Sequence, residues 1–242
     1  MRHNLRTLSA ALATTIALLG ATQHLRAEPF SEARIIFEVN ATAGDGGIQI
    51  FVDGTGWKRL EVFDPAGQKT FDVFASHSIG ATGVTELFFE SAEPSFEDLP
   101  LDQLLARFPA GSYRFEGVTV DGALLTGRAK LSHAIPAAPD VIAPVEGATL
   151  STAAPVVIDW NPVTQGFPGT VQPVSVVAYQ VIVERVKPKP LHAFQVTLPA
   201  AVTRVTVPAE FIQASTDYKF EVLAIELSDN QTITEGSFKV AK

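Results

Sequence analysis

Three histidines, His77, His133 and His192, lie past residue 27, and each stands alone in the chain. Zinc motifs such as HExxH or HxxxH place two imidazoles on one helix face. None of the three has that spacing, so each reads as a surface or strand-end histidine. No GxSxG elbow presents a serine, and no GxxxxGK loop offers backbone amides to a phosphate. Carboxylates are the remaining chemistry. Asp45, Asp53, Asp64 and Asp121 each adjoin a Gly or Pro, which suits hairpin turns. The alternative is a calcium site at one end of a first domain, since a hard cation takes carboxylate and carbonyl oxygens. Glu90, Glu93, Glu97, Asp98 and Asp102 form an acidic run, explained by a solvated loop leading into a helix N-terminus. Trp57 follows Gly54-Thr55-Gly56. It is either a loop aromatic that stacks on a glycan or a core residue. No pattern implies a cofactor or a catalytic residue.

Composition narrows the partners. The formal charge is −8, which disfavours nucleic acid and anionic membrane surfaces. The absence of cysteine removes disulfides, thiolate catalysis and cysteine metal sites. The basic Met1–Arg6 segment, the uncharged Leu8–Ala21 run and Leu25-Arg26-Ala27 read as a signal peptide over residues 1–27, cut after Ala27. Cleavage makes the charge more negative by three, because Arg2, Arg6 and Arg26 leave and no acidic residue goes with them. The mature chain of about 215 residues has room for two small domains. It contains no further membrane span.

Any functional group must be carried by strands. Residues 28–134 read as a first domain: Arg34–Val39, Ile48–Val52, Leu60–Phe63, Thr70–Phe74, Val84–Glu90, Tyr113–Val120 and Leu124–Leu131, with one helix at Pro100–Phe108. Residues 135–144, IPAAPDVIAP, form a proline-stiffened linker, with Pro136–Asp140 expected to be its free part. Residues 145–242 form a second domain organised around Ala154–Val163, APVVIDWNPV. There Val156, Ile158 and Trp160 share a face and Pro162 ends the strand. Val176–Val186, Ala193–Leu198, Arg204–Val207, Tyr218–Leu227 and Thr232–Val240 follow. Tyr113-Arg-Phe-Glu116 and Tyr218-Lys-Phe-Glu221 each open a penultimate strand. Both tyrosines are expected to be buried, with their hydroxyls tied back to the backbone. Asn40-Ala-Thr42 and Asn230-Gln-Thr232 are sequons, and Arg185–Pro190 is a basic patch that guards a strand edge.

Residues 154–242 resemble a fibronectin type III domain. The residues behind this are Pro144, Trp160, Tyr179 in the long middle strand, and Tyr218-Lys-Phe-Glu-Val-Leu-Ala224. The last is similar to the family's Tyr-x-x-x-Val-x-Ala pattern with one residue inserted. The long Val163–Val174 segment is a second departure. Phe108-Pro-Ala-Gly-Ser-Tyr113 resembles a turn of immunoglobulin-like sandwiches in bacterial exported proteins. The resemblance implies an all-β chain of two tandem immunoglobulin-like and fibronectin type III-like β-sandwiches, with Trp160, Tyr179, Tyr113 and Tyr218 as structural core. It contains no Arg-Gly-Asp tripeptide, so no integrin role carries over. The leading reading is a non-catalytic exported scaffold, periplasmic or extracellular, with a protein partner. A glycan or calcium module is the alternative, and an unrecognised hydrolase the third.

Overall fold

The computed structural model describes residues 27–186 and 192–241. The expected signal peptide up to Arg26, and residues 187–191 of the basic patch, lie outside the described residues. The elements of the first module are β1 (Glu28–Pro29), β2 (Glu32–Asn40), β3 (Asp45–Phe63), β4 (Lys69–Phe74), α1 (His77–Thr82), β5 (Val84–Glu90), α2 (Leu101–Arg107), β6 (Gly111–Thr119) and β7 (Leu124–Leu131). Those of the second are β8 (Val141–Ala143), β9 (Ala148–Leu150), β10 (Val157–Trp160), β11 (Val176–Arg185), β12 (Ala193–Pro199), β13 (Arg204–Thr206), β14 (Thr216–Glu226) and β15 (Gln231–Val240).

The first module is built on β3, which belongs to both of its layers. Its first half pairs with β2 and β5, and its second half with β6 and β4. Ile48, Ile50 and Val52 point into the core at period two. Strict alternation would then send position 57 outward. Register shifts between Asp53 and Trp57, and between Trp57 and Arg59, turn it inward instead. Gly54 leaves room for Phe30 at this corner, because a Cβ there would lie 2.8 Å from the Phe30 ring. The stretch expected as a loop is therefore the corner of one continuous strand. Phe30 lies over Gly54, Gly117 and Gly127, where side chains would meet its ring.

The second module has two layers, β8-β10-β13 and β12-β11-β14-β15. Ile158, Trp160, Tyr179, Val181, Val183, Tyr218, Phe220 and Phe238 fill the space between them. The Trp160 and Tyr179 rings meet edge to face at 5.3 Å. The Tyr179 hydroxyl accepts a hydrogen bond from Val163 N at 2.7 Å. This strand order is fibronectin type III-like and the chain is all-β.

The two modules share one sheet. β15 pairs with β2 in parallel through Gln231–Glu38, Thr232–Val39 and Ile233–Asn40. Asn230 is fully buried and extends that ladder with its side chain. Its Oδ1 accepts from Phe37 N at 2.8 Å, and its Nδ2 donates to Ser132 O at 3.0 Å and Ala134 O at 2.9 Å. The linker is held as well. Thr232 Oγ1 donates to Pro136 O, and Thr234 Oγ1 to Pro139 O, at 2.6 and 2.8 Å. The expectation that Pro136–Asp140 runs free is corrected by these bonds. The long 163–174 segment also crosses the junction. Phe167 packs on the first core and meets Phe96 edge-on at 6.3 Å.

Candidate functional site

The joined sheet brings carboxylates of both modules onto one side of the junction. Glu38 of β2 stands beside Gln231 of β15, whose Nε2 donates to its Oε2. Glu90 ends β5, and Glu93 follows it and folds against Gly47, where a Cβ would lie 3.2 Å from Glu93 Cγ. Among the described residues, Glu38, Glu90 and Glu93 are the group of three whose carboxylate oxygens come within 4.8 Å of one another. Glu38 is only 9% exposed. Burial pushes its carboxyl up to about 7, and the charges of Glu90 and Glu93 add to the effect. Burial also raises Glu93, reinforced by Glu90 and Asp45, and raises Asp45, reinforced by Glu235 of the other module.

A cavity of about 310 Å³ lies at the same seam, bordered by Thr42 of the first module and by Glu146, Glu184, Lys219, Glu221 and Glu235 of the second. Glu221 and Glu235 sit directly opposite each other in the β14–β15 ladder. Like charges in that position repel. Burial, then Glu235 and Glu184, raise the Glu221 carboxyl, while Lys219 opposes the rise. Across the junction, Asn40 Nδ2 donates to Glu235 Oε1 at 3.0 Å and Glu235 N donates to Thr42 Oγ1 at 2.9 Å. The result is an acidic face spanning both modules and suited to cationic donors.

The other residues singled out in the sequence lie elsewhere. Trp57 is 1% exposed and packs in the first core. The reading of Trp57 as a ligand contact, and the glycan idea that rested on it, is corrected: the bulges turn the indole inward. The four aspartates expected as turn or calcium residues do not gather. Asp45 and Asp64 stand at opposite ends of β3, where Asp64 Oδ1 accepts from Gln68 N at 2.8 Å. Asp121 is engaged by the Thr119 hydroxyl. His77 and His192 are exposed, and His133 Nε2 lies 2.9 Å from Phe108 O. Trp160, Tyr179, Tyr113 and Tyr218 are each 1% exposed. The Tyr218 hydroxyl donates to Phe211 O at 3.2 Å and accepts from Gln213 N at 2.8 Å, the tyrosine corner of sandwich domains. The Tyr113 hydroxyl differs, having no hydrogen-bond partner among the described residues. The shared-corner expectation holds for Tyr218 and is corrected for Tyr113. The sequon Asn230 is buried with its amide hydrogens used, so it cannot carry a glycan in this fold.

No known protein family and no curated protein matches the chain. Solved structures similar to it are arrays of fibronectin type III modules. The chicken CNTN1 FN1–FN3 domains share 15% identity over 90% of this chain and 67% of that one, with a TM-score of 0.33. The Clostridium thermocellum CbhA fibronectin(III)-like modules share 11% over 91% of both chains, at 0.33. A two-domain chicken tenascin segment shares 11% over 87% of this chain and 98% of that one, at 0.30. No helix among the described residues is long and apolar enough to cross a membrane.

Sequence reasoning missed Glu38 and Gln231 as partners. They are 193 positions apart, and only the parallel pairing of β2 with β15 joins them. A charged residue in the apolar run Ile35-Ile36-Phe37-Glu38-Val39 was the available signal, because burying a carboxylate requires a compensating neighbour.

Proposed function

We propose that this is an exported, non-catalytic interaction protein, its two β-sandwich modules (residues 28–134 and 145–242, with the joining segment 135–144 supplying β8 to the second) fixed as one platform for a protein partner. The observation that carries this reading is the junction. A shared sheet, the Asn230 clamp, the anchored linker and Phe167 tie the modules at four places. Such an arrangement suits presenting a composite surface better than closing over a substrate. The signal-peptide pattern of residues 1–27 supports export. The acidic face supports a partner with a basic surface, whose association would be steered by charge and weakened by salt.

The test is affinity capture from the exported fraction of the source cells, using protein spanning residues 28–242. The expected result is a partner released by salt and lost on combined Glu221→Lys and Glu235→Lys substitution, with the variant still folded. Capture that survives both the charge reversal and high salt overturns the reading.

A further inference from the structure

The first module contains a second cavity, remote in character from the acidic face. It has a volume of about 190 Å³. Ile35, Ile48 and Ile50 line it, with Phe71 and Phe89 and the ring of Tyr113. An apolar cavity of about 150 Å³ is enough to admit benzene. Its two other hydroxyls are already engaged: Thr70 Oγ1 donates to Val62 O, and Ser91 Oγ accepts from Ile48 N and donates to Ala92 O. The Tyr113 hydroxyl is buried and has no hydrogen-bond partner among the described residues. An unmade hydrogen bond of that kind is costly, and because the hydroxyl is closed off from the cavity as it stands, a ligand atom restores the bond only when the lining side chains move.

The wall on one side is made of side chains. β4 and β5 each pair with β3 and not with each other. The space between them is spanned by Phe71 and Phe89, half-buried and stacked at 4.3 Å with an 18° interplanar angle. Moving these rings opens the cavity without breaking a strand ladder. We propose that this cavity binds a neutral, single-ring aromatic molecule bearing one carbonyl oxygen, its ring against Phe71 and Phe89 and its oxygen accepting from the Tyr113 hydroxyl.

The charge state of the ligand follows from the lining. Among the described residues, no Arg, Lys or His borders the cavity, so a buried carboxylate would lack a counter-charge there. Burial, with the Asp64 charge, pushes the Tyr113 hydroxyl up to about 12. It therefore stays protonated and acts as a donor at neutral pH. The same Asp64 charge repels an anion.

The test uses the protein spanning residues 28–242 with isoleucine methyl labels, and acetophenone, toluene and benzoate as probes. Acetophenone is expected to shift the methyl signals of Ile35, Ile48 and Ile50 while leaving Ile142 and Ile182 in place. Tyr113→Phe should weaken acetophenone about 5- to 10-fold, the value of one net hydrogen bond, and leave toluene unchanged. Benzoate should not bind. The absence of saturable shifts at the three isoleucines in the unsubstituted protein overturns the proposal, and so does equal weakening of acetophenone and toluene. Benzoate binding as tightly as acetophenone overturns the neutral-ligand assignment.

Discussion

Replacing Glu38 with Gln should stabilise the protein at alkaline pH and leave it little changed in acid. The Glu38 carboxyl is raised from 4.5 to about 7, first by burial and then by Glu90 and Glu93. Between those pH values the folded state holds a proton that the unfolded state has released. Stability therefore falls as pH rises through this window and is level above it. Each pH unit inside the window costs about 1.4 kcal/mol, or about 3 kcal/mol across it. Glutamine keeps a carbonyl oxygen to accept from Gln231 Nε2, is neutral at every pH and removes the repulsion from Glu90 and Glu93. Urea unfolding of both proteins at pH 4.5 and pH 8 measures the difference. The variant should match the parent at pH 4.5 and exceed it by about 3 kcal/mol at pH 8. Glu93, Asp45 and Glu221 add slopes of the same sign, so the parent–variant difference reports Glu38 together with its coupling to Glu90 and Glu93. An equal difference at both pH values would refute the reasoning.

Four further outcomes are expected. Asn230→Ala strands Phe37 N and the carbonyls of Ser132 and Ala134. It should cost about 2–4 kcal/mol, and scattering of the variant should require a spread of module orientations. Trp57→Ala and Trp160→Ala should each cost about 3–5 kcal/mol in thermal or chemical melts, because both indoles are equally buried; a mild Trp57 variant would contradict the observed corner. Tyr218→Phe should lose about 1–2 kcal/mol, whereas Tyr113→Phe, which removes an unpartnered hydroxyl, should be neutral or stabilising by equilibrium unfolding. Gly117→Ala places a Cβ 2.6 Å from the Phe30 ring and should cost about 1–3 kcal/mol by the same measurement.

The second module was the more legible half. Val156, Ile158 and Trp160 alternate inward along β10 and the residue before it, and Tyr218 lies near the start of β14 after a short turn. These are local patterns, and the strand period acts over a few residues. The first module was legible in most of its strands and in α2, but the reading missed β1 and the helix α1 (His77–Thr82) and split β3 in two at its corner. Period two breaks at Trp57 because bulges insert residues into one strand alone, and an inserted residue leaves no mark in a pattern read on that strand.

The sequence by itself determined the all-β class, the acidic balance and the exclusion of cysteine chemistry, since composition and short-range periodicity carry all of these. Tertiary structure decided what the carboxylates and prolines do. Glu38 meets Gln231, Asn230 clamps three backbone groups, and the linker carbonyls are claimed by Thr232 and Thr234. Each contact joins residues 95 or more positions apart. Only the parallel seam between β2 and β15 brings them within hydrogen-bond range, and no local preference of either strand specifies that seam.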